Sequence, residues 1–400
     1  MSLIHAVTWQ VLTGPKTVGI LGAGQLARML AQAGLPMGLE FIFLDPAEDA
    51  CAAELGDHIH AGWDDEAALT ELGKRSDVVT FDFENVPESS ASLIESLCPV
   101  YPPPRALLIS QDRLREKSLL QELNIPLAPF VPVSSRPDLL AAIEQIGLPC
   151  VLKTRRFGYD GKGQAVLRLQ EDMERAWQAL GGEDLVCEGF VSFDVECSII
   201  AARGRDGRTV FWPLTLSLHR EGVLAISMAP VFGAQMQSRA EGLIQRLLNH
   251  FDYTGVMALE LFLKDGELLA NEFAPRVHNS GHWSIDGART SQFENHLRAI
   301  CGLPLGDTEC TARALMFNLL GEMPEAADLP AVTGAGQDHV HWHDYHKTAR
   351  SKRKIGHVTV TAESDTGLRA KAAQLAGDLG VAAEINLETL MLGLSKAPYE

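Results

Sequence analysis

The chain has 400 residues, enough for two or three domains with cores of their own, and its 46% hydrophobic and 22% charged content is that of an ordinary enzyme. A formal charge of −18 excludes non-specific attachment to nucleic acid or to an anionic membrane, yet leaves room for an anionic small molecule met by local cations. No apolar run approaches the ~18 residues that span a bilayer, and seven scattered cysteines without a CxxC pair read as reduced thiols, so the expected setting is cytoplasmic. Residues 1–16 lack the basic start and apolar core of a secretory signal and are read as an extension outside the fold.

Thr17 to Leu21 reads as a short strand running into Gly22-Ala23-Gly24, then a helix from about Gln25 to Ala33. Strands at Phe41–Leu44 and Val78–Phe83 end at Asp45 and at Glu84-Asn85-Val86-Pro87. This alternation predicts a parallel α/β domain over roughly 17–110. Ligands of such sheets bind at the carboxyl ends of the strands, where Gly22–Gln25, Asp45 and Glu84 lie. A helix over 112–123 follows, then a Pro-bearing linker and edge strand over 126–137. Next comes a small α+β unit: helix 138–146, strand Cys150–Lys153, loop 155–164, strand 165–169 and helix 171–180. From about 185 the pattern turns strand-rich, with Leu185–Cys187, Val195–Ala201, Val210–Leu216 and 256–273, interrupted by a helix over 236–251. Past a Pro/Gly-rich passage, Pro324 to Gly336, a last α/β piece has strands at 339–343 and 357–361 and a helix at 366–379.

Five stretches carry chemistry. Gly22-Ala23-Gly24-Gln25-Leu26-Ala27 fits G-x-G-x-x-A after a strand, with Asp45 at the distance of a ribose contact. It reads as a dinucleotide turn, as a turn without ligand, or more generally as amides approaching an anion at a helix N-terminus. Arg155 to Gln164, with Gly158, Gly161 and Gly163, follows Lys153 and reads as a flexible flap whose amides cover phosphates. It is not a Walker loop, since neither a Ser/Thr after Lys162 nor a long helix follows. Lys153 would meet phosphate oxygens as a point charge.

In the hairpin 256–272, Glu260 interrupts an apolar run. A loop of odd length, Asp265–Glu267, would pair Lys264 with Leu268 and stand Glu260 opposite Glu272; an even loop would put the two on opposite faces. Carboxylates facing at ~4.5–5.5 Å between Cβ atoms need a shared proton or a metal. Magnesium held by one or two carboxylates and a nucleotide phosphate meets that need. Ala274 to Trp283 follows at once, with Arg276, His278, Asn279 and His282 suited to an anionic intermediate. Lys347, Arg350, Lys352, Arg353 and Lys354 form a basic cluster, either a phosphate clamp or a solvated face. His339, His341 and His343 alternate along a strand and could meet one metal, though a structural role is the expectation because only Asp344 lies near in sequence.

Taken together, Gly24-Gln25-Leu26, Gly158-Tyr159-Asp160-Gly161-Lys162-Gly163-Gln164 and Asn271 through Trp283 resemble the ATP-grasp superfamily, and within it the N5-carboxyaminoimidazole ribonucleotide synthetases, in order over about 17–360. The resemblance implies an ATP-grasp fold of mixed α/β and α+β type. Its parts would be an N-terminal Rossmann-like domain at 17–112, a small α+β lid at 113–187 and a large strand-rich domain at 188–400 with a terminal α/β piece from about 337. It implies that Arg113, Lys153 and the 158–164 flap contact ATP phosphates. Glu188-Gly189-Phe190-Val191 would read the adenine and Glu196 the ribose, with His219 nearby. Glu260 and Glu272, beside Asn271, would hold Mg2+, or Mn2+ in its place. Gly24, Gln25, Leu26, Glu84, Tyr159, Asp160, Lys347, Arg353 and Lys354 would receive aminoimidazole ribonucleotide. Arg276, His278 and Asn279 would receive bicarbonate and carboxyphosphate, with Lys153 beside them as a catalytic cation. The implied enzyme is a homodimer that passes its product to a separate mutase in purine synthesis. The segment 341–347 departs from the family pattern, which shifts the alignment of Lys347 by about a residue. Another ATP-grasp ligase or a formyl transferase of purine synthesis, an NAD-dependent oxidoreductase built on Gly22–Gly24, and a non-catalytic nucleotide- or zinc-binding protein are the competing readings.

Overall fold

The computed structural model describes residues 15–158, 162–181, 184–324, 339–350 and 353–378. Tyr159, Asp160 and Gly161 of the expected flap, and Lys352 of the basic cluster, lie outside the described residues, as do 1–14 and 379–400.

The first unit runs β1 (Thr17–Leu21), α1 (Gln25–Gly34), β2 (Glu40–Asp45), β3 (Asp57–His60), α2 (Glu66–Arg75), β4 (Val78–Phe81), α3 (Glu88–Glu95) and α4 (Pro104–Ser110). Its parallel sheet has the order β3-β2-β1-β4. Strands β1, β2 and β4 are apolar on both faces, as a sheet covered twice requires, with Val18, Ile20, Leu21, Phe43, Val78 and Phe81 fully buried, while the edge strand β3 is polar. Helix α2 starts where the Asp65 carboxylate accepts the amides of Ala67 and Ala68, and it ends on Lys74 and Arg75, the order that the helix dipole favours. Strand β3 and helices α2 to α4 go beyond the elements expected from sequence.

Helix α5 (Arg113–Glu122), capped by Asp112, leads to the lid: β5 (Phe130–Val133), α6 (Arg136–Ile146), β6 (Cys150–Thr154), β7 (Gln164–Leu167), α7 (Asp172–Leu180) and β8 (Leu185–Gly189). The lid strands pair in the order β5-β8-β6-β7, all antiparallel. One face, with Val133, Cys150, Leu152, Leu167, Leu185 and Cys187, packs on Leu139, Ala142, Met173 and Ala176 of the two helices.

The remaining elements are β9 (Val195–Arg203), β10 (Thr209–Phe211), β11 (Thr215–Arg220), β12 (Val223–Ala229), α8 (Ala234–Phe251), β13 (Gly255–Lys264), β14 (Glu267–Ala274), α9 (Ser284–Gly287), α10 (Gln292–Ile300), β15 (Arg313–Leu320), β16 (His339–Asp344), β17 (Lys354–Ala362) and α11 (Asp365–Asp378). Their sheet follows the path β14-β13-β9-β11-β12-β15-β17-β16, with β10 beside β9. The single strand expected over 210–216 is two, because Pro213 supplies no N–H to a ladder and Trp212 turns inward, its indole N–H donating to the Thr290 carbonyl at 3.0 Å.

Alternation along β9 and β13 sorts the core. Ile199, Ala201, Met257, Leu259 and Leu261 pack on α8, whereas Ile200, Ala202, Val256 and Ala258 face α10 and α1 of the first unit. Glu260 is next on that second face after Val256 and Ala258. The alternation therefore aims a carboxylate toward the N-terminal domain.

Candidate active site

The turn after β1 is closed by two carboxylates. Asp82 accepts the amides of Gly24 at 2.9 Å and Ala27 at 3.2 Å, while Asp45 accepts Ala23 at 2.9 Å. Gly22 sits at φ +110°, where a side chain would be strained, and a Cβ there would fall 1.6 Å from Asp82 Oδ1. Burial raises the Asp82 carboxyl to about 6 against the pull of the amides it accepts. The anion at this helix start is thus the protein's own, and Asp45 serves the turn rather than a ribose. Of the residues expected here, Leu26 is buried, and Gln25 accepts the Lys347 ammonium at 2.6 Å. That contact joins the turn to the basic cluster 322 residues away.

Below it stands the β13–β14 hairpin. Its turn is Asp265-Gly266, both left-handed at φ 51° and 78°, with Lys264 paired to Glu267. This is the two-residue type I′ connection, the even one of the two alternatives, which by itself would put the glutamates on opposite faces. Regular pairing from that turn would set Asn271 opposite Glu260. A bulge after Leu261↔Ala270 instead brings Glu272 opposite Glu260, leaving Asn271 as the extra residue. The facing pair is reached by a different route. Each carboxylate has its own cation or donor: His278 Nε2 lies 3.0 Å from Glu260 Oε1, and Arg113 Nη1 donates to Glu272 Oε2 at 2.8 Å. Burial would raise the Glu260 carboxyl, but His278, with His219 and Lys354 beyond it, pulls it down to about 2. The other nitrogen of His278 meets Ser280 Oγ at 2.8 Å, which in turn accepts Ser198 Oγ at 2.6 Å, so the ring is fixed at both ends.

The loop that follows β14 reaches across to the first unit, where the Arg276 guanidinium pairs with Glu84. Burial would raise the Glu84 carboxyl, but Arg276 holds it below the usual range. Asn279 is buried and accepts Asn318 Nδ2 at 2.8 Å through its Oδ1. Farther along, Glu196 accepts from His219 at 2.7 Å. Arg353 donates to the Thr348 carbonyl at 3.0 Å, and Lys354 begins β17 close enough to bias the titration of Glu260 and His219.

The lid contributes Lys153 at the end of β6. Its ammonium lies 3.0 Å from Glu188 Oε2 on β8, and so does the buried ammonium of Lys117 on α5. One carboxylate between two cations is held at about 2, against a burial that alone would raise it. The side chain of Glu188 therefore ties the lid to α5, and any contact of segment 188–191 with a base falls to the backbone and to Gly189, Phe190 and Val191. Phe190 lies under the Arg168 guanidinium, 5.4 Å from ring centre to carbon. In the flap, Gly163 takes φ +70° and its carbonyl accepts the Thr154 amide at 2.8 Å. Gln164 pairs with Lys153 in the ladder, and the Gly158 carbonyl faces Arg113 at 3.4 Å. Lys162 belongs to the same loop.

Lys117, Glu116 and Asp82 went unnoticed in the sequence. Helix α5 carries the first two: Glu116 accepts the Phe273 amide at 2.7 Å, and Lys117 reaches the carbonyl of the bulged Asn271 at 3.4 Å. Burial, with the charge of Glu272, raises Glu116 to about 8. The available signal was a helix carrying adjacent opposite charges, which is too common to single out. Facing carboxylates with flanking cations, and a glycine flap beside a buried lysine, suit a divalent cation holding a polyphosphate.

Comparison with known proteins accords with this geometry. Residues 15–111 match the ribonucleotide synthetase preATP-grasp domain, 118–293 the ATP-grasp domain and 314–371 the phosphoribosylaminoimidazole carboxylase C-terminal domain. The chain is 48% identical over 358 residues to N5-carboxyaminoimidazole ribonucleotide synthase of Pseudomonas aeruginosa, covering 90% of this chain and 98% of that one. It superposes on the Thermus thermophilus N5-carboxyaminoimidazole ribonucleotide synthetase with TM-score 0.86 at 46% identity, covering 92% and 99% of the two chains. A synthase from Aspergillus clavatus, solved with ADP and 5-aminoimidazole ribonucleotide, gives TM-score 0.82 at 27% identity over 92% and 99%. The chain belongs to the N5-carboxyaminoimidazole ribonucleotide synthase family of ATP-grasp ligases.

Proposed function

We infer that this chain is an ATP-dependent carbon–nitrogen ligase that carboxylates 5-aminoimidazole ribonucleotide to N5-carboxyaminoimidazole ribonucleotide in purine synthesis, with bicarbonate as the carbon source. The observation that carries the reading is the convergence of the Glu260–Glu272 pair with Arg276 and His278 beneath the Gln25–Lys347 contact. An oxyanion of bicarbonate attacks the γ-phosphorus of ATP. The bond to the β,γ-bridging oxygen breaks, releasing ADP and leaving carboxyphosphate. The exocyclic amine then attacks the carboxyl carbon, phosphate departs, and the amine loses a proton.

Positioning and charge neutralisation supply most of such a catalysis. Glu260 and Glu272, each now matched to a cationic or hydrogen-bonding neighbour, would hold Mg2+ (or Mn2+), which when bound draws off charge from the phosphate oxygens. Lys153 and Arg113, with the 158–164 flap over them, meet the phosphates. Gly189, Phe190 and Val191 border the base, and Glu196 with His219 the ribose. Arg276 orients bicarbonate and its phosphorylated form, with Asn279 alongside. His278, fixed between Glu260 and Ser280, holds or moves a proton at Nε2. Gly24, Gln25, Leu26, Glu84, Lys347, Arg353 and Lys354 receive the ribonucleotide, with Tyr159 and Asp160 from the flap tip. Closing the flap keeps water from the reactive anhydride.

The proposal extends to three parts: the N-terminal domain at 17–112, the lid at 113–187 and the strand-rich remainder from 188, preceded by the 1–16 extension. It also includes pairing as a homodimer through the strand-rich part, a cytoplasmic setting and transfer of the labile product to a separate mutase. The free cysteines support a reducing compartment, and no helix among the described residues is long and apolar enough to cross a membrane. ADP release is the test: it should require bicarbonate and aminoimidazole ribonucleotide together. Equal release with either one omitted would overturn the assignment.

A further inference from the structure

Behind the active-site loop lies a second cluster, made of residues that the ligase chemistry does not use. His343 on β16 and His357 on β17 are directly opposite in the antiparallel register, and Asp286 of α9 reaches them from the helical layer. Asp286 Oδ2 is 2.8 Å from His343 Nε2, and its Oδ1 is 3.4 Å from His341 Nδ1. Donor atoms of Asp286, His343 and His357 all lie within 4.8 Å of one another. His357 is fully buried, its Nδ1 is 2.8 Å from the Tyr345 hydroxyl, and its Nε2 has no hydrogen-bond partner among the described residues.

We propose that Asp286, His343 and His357, with His341 as fourth donor, bind a divalent transition metal of the zinc class. A buried imidazole nitrogen without a partner costs free energy in the folded protein, and a metal removes that cost. When Nδ1–H of His357 donates to the Tyr345 oxygen, Nε2 is left with a free lone pair, the kind of hydrogen bond that fixes metal-bearing histidines; the rings of His343 and His357 stack 4.2 Å apart and 9° from parallel, so metal binding turns one of them out of the stack. At His343 the metal replaces the proton now shared with Asp286. Imidazoles with one carboxylate suit zinc and its neighbours, whereas the all-carboxylate pair at Glu260 and Glu272 suits magnesium, so the two sites sort different ions. A filled site has a structural consequence. It ties β16 and β17 to α9, whose start lies just past the His278–Trp283 loop, and the ring of His282 packs 5.1 Å from that of His357.

The test uses the full chain, stripped with a chelator and titrated with Co2+ and then Zn2+ in excess Mg2+. One equivalent of Co2+ should bind with the visible absorption of a low-coordinate nitrogen–oxygen site, and Zn2+ should displace it. His343→Gln and Asp286→Asn should each weaken binding at least about 10-fold, while Glu272→Gln should leave it intact. Zn2+ should raise the melting temperature of the wild-type chain and not that of His343→Gln. Circular dichroism checks that each variant is folded, and His341→Gln, at the edge of the cluster, is the milder alternative and should also weaken binding. Absence of binding to the wild-type chain, binding unchanged in all three cluster variants, or binding abolished by Glu272→Gln would overturn the proposal.

Discussion

The strand–helix turn at Gly22–Gln25 and the hairpin at Glu260–Glu272 both look, in sequence, like seats for charge, and the fold treats them in opposite ways. At the turn, the amides of Ala23, Gly24 and Ala27 are taken by Asp45 and Asp82. At the hairpin, two carboxylates are set face to face and held by His278 and Arg113 at one oxygen each. A ligand replaces nothing in the second case, because oxygens remain to bind a cation. In the first, a phosphate seated on those three amides would have to evict a buried side chain. This contrast disfavours a dinucleotide reading of the turn, since the pyrophosphate seat of such folds is the one that Asp82 fills.

The sharpest way to break the comparison is at the open end. Glu272→Gln should lower turnover about 1000-fold, roughly 4 kcal/mol in the barrier, with ADP binding retained by calorimetry; undiminished turnover would remove the pair from the metal site. Next is the clasp between lid and body. Glu188→Gln leaves Lys117 and Lys153 buried without their anion, and should cost about 3 kcal/mol in urea unfolding. Because the folded carboxyl is depressed to about 2 from 4.5, the stability that it contributes is present above pH 4.5 and is lost as pH falls toward 2. The variant should lack that acid slope.

The closed end gives the opposite sign. Asp82 has its folded value raised from 3.8 to about 6, so its contribution to stability declines as pH rises from 4 to 6. Asp82→Asn should therefore gain on the wild-type chain over that window, by about 2 kcal/mol at pH 7 once the weaker amide bonds are counted. A difference that stays flat with pH would mean that the carboxylate is not strained by burial. The smallest effect is expected where the turn meets the basic cluster. Gln25→Ala removes one charge-assisted bond to Lys347 and should raise KM for the ribonucleotide several-fold, about 1 kcal/mol, leaving KM for ATP unchanged.

Much of the frame was legible because it rests on periodicity. The parallel strands of the first unit, the lid elements and the long hairpin all announce themselves by apolar runs of the right length. Facing of Glu260 and Glu272 was legible as a possibility, but for the wrong reason: the turn is even and a bulge at Asn271 restores the pairing. A bulge leaves little trace in sequence, since it is set by what α5 and the lid demand of β14. Asp82 was hidden for a different cause. A single aspartate at a strand end carries no motif, and its purpose appears only when α1 is folded above it. Likewise Asp286, the carboxylate missing from the histidine strand, is 57 residues from His343, and only the packing of α9 on β17 supplies it.

The bulge has a consequence for how this hairpin varies among relatives. Which face Glu272 occupies depends on the combined parity of the turn and the bulge, not on either one. A sequence whose turn is one residue longer and whose strand lacks the extra residue would present the same two carboxylates, although an alignment would record an insertion beside a deletion. Such compensated pairs are neutral spellings of one site. A gap at either place alone is the change that should silence it.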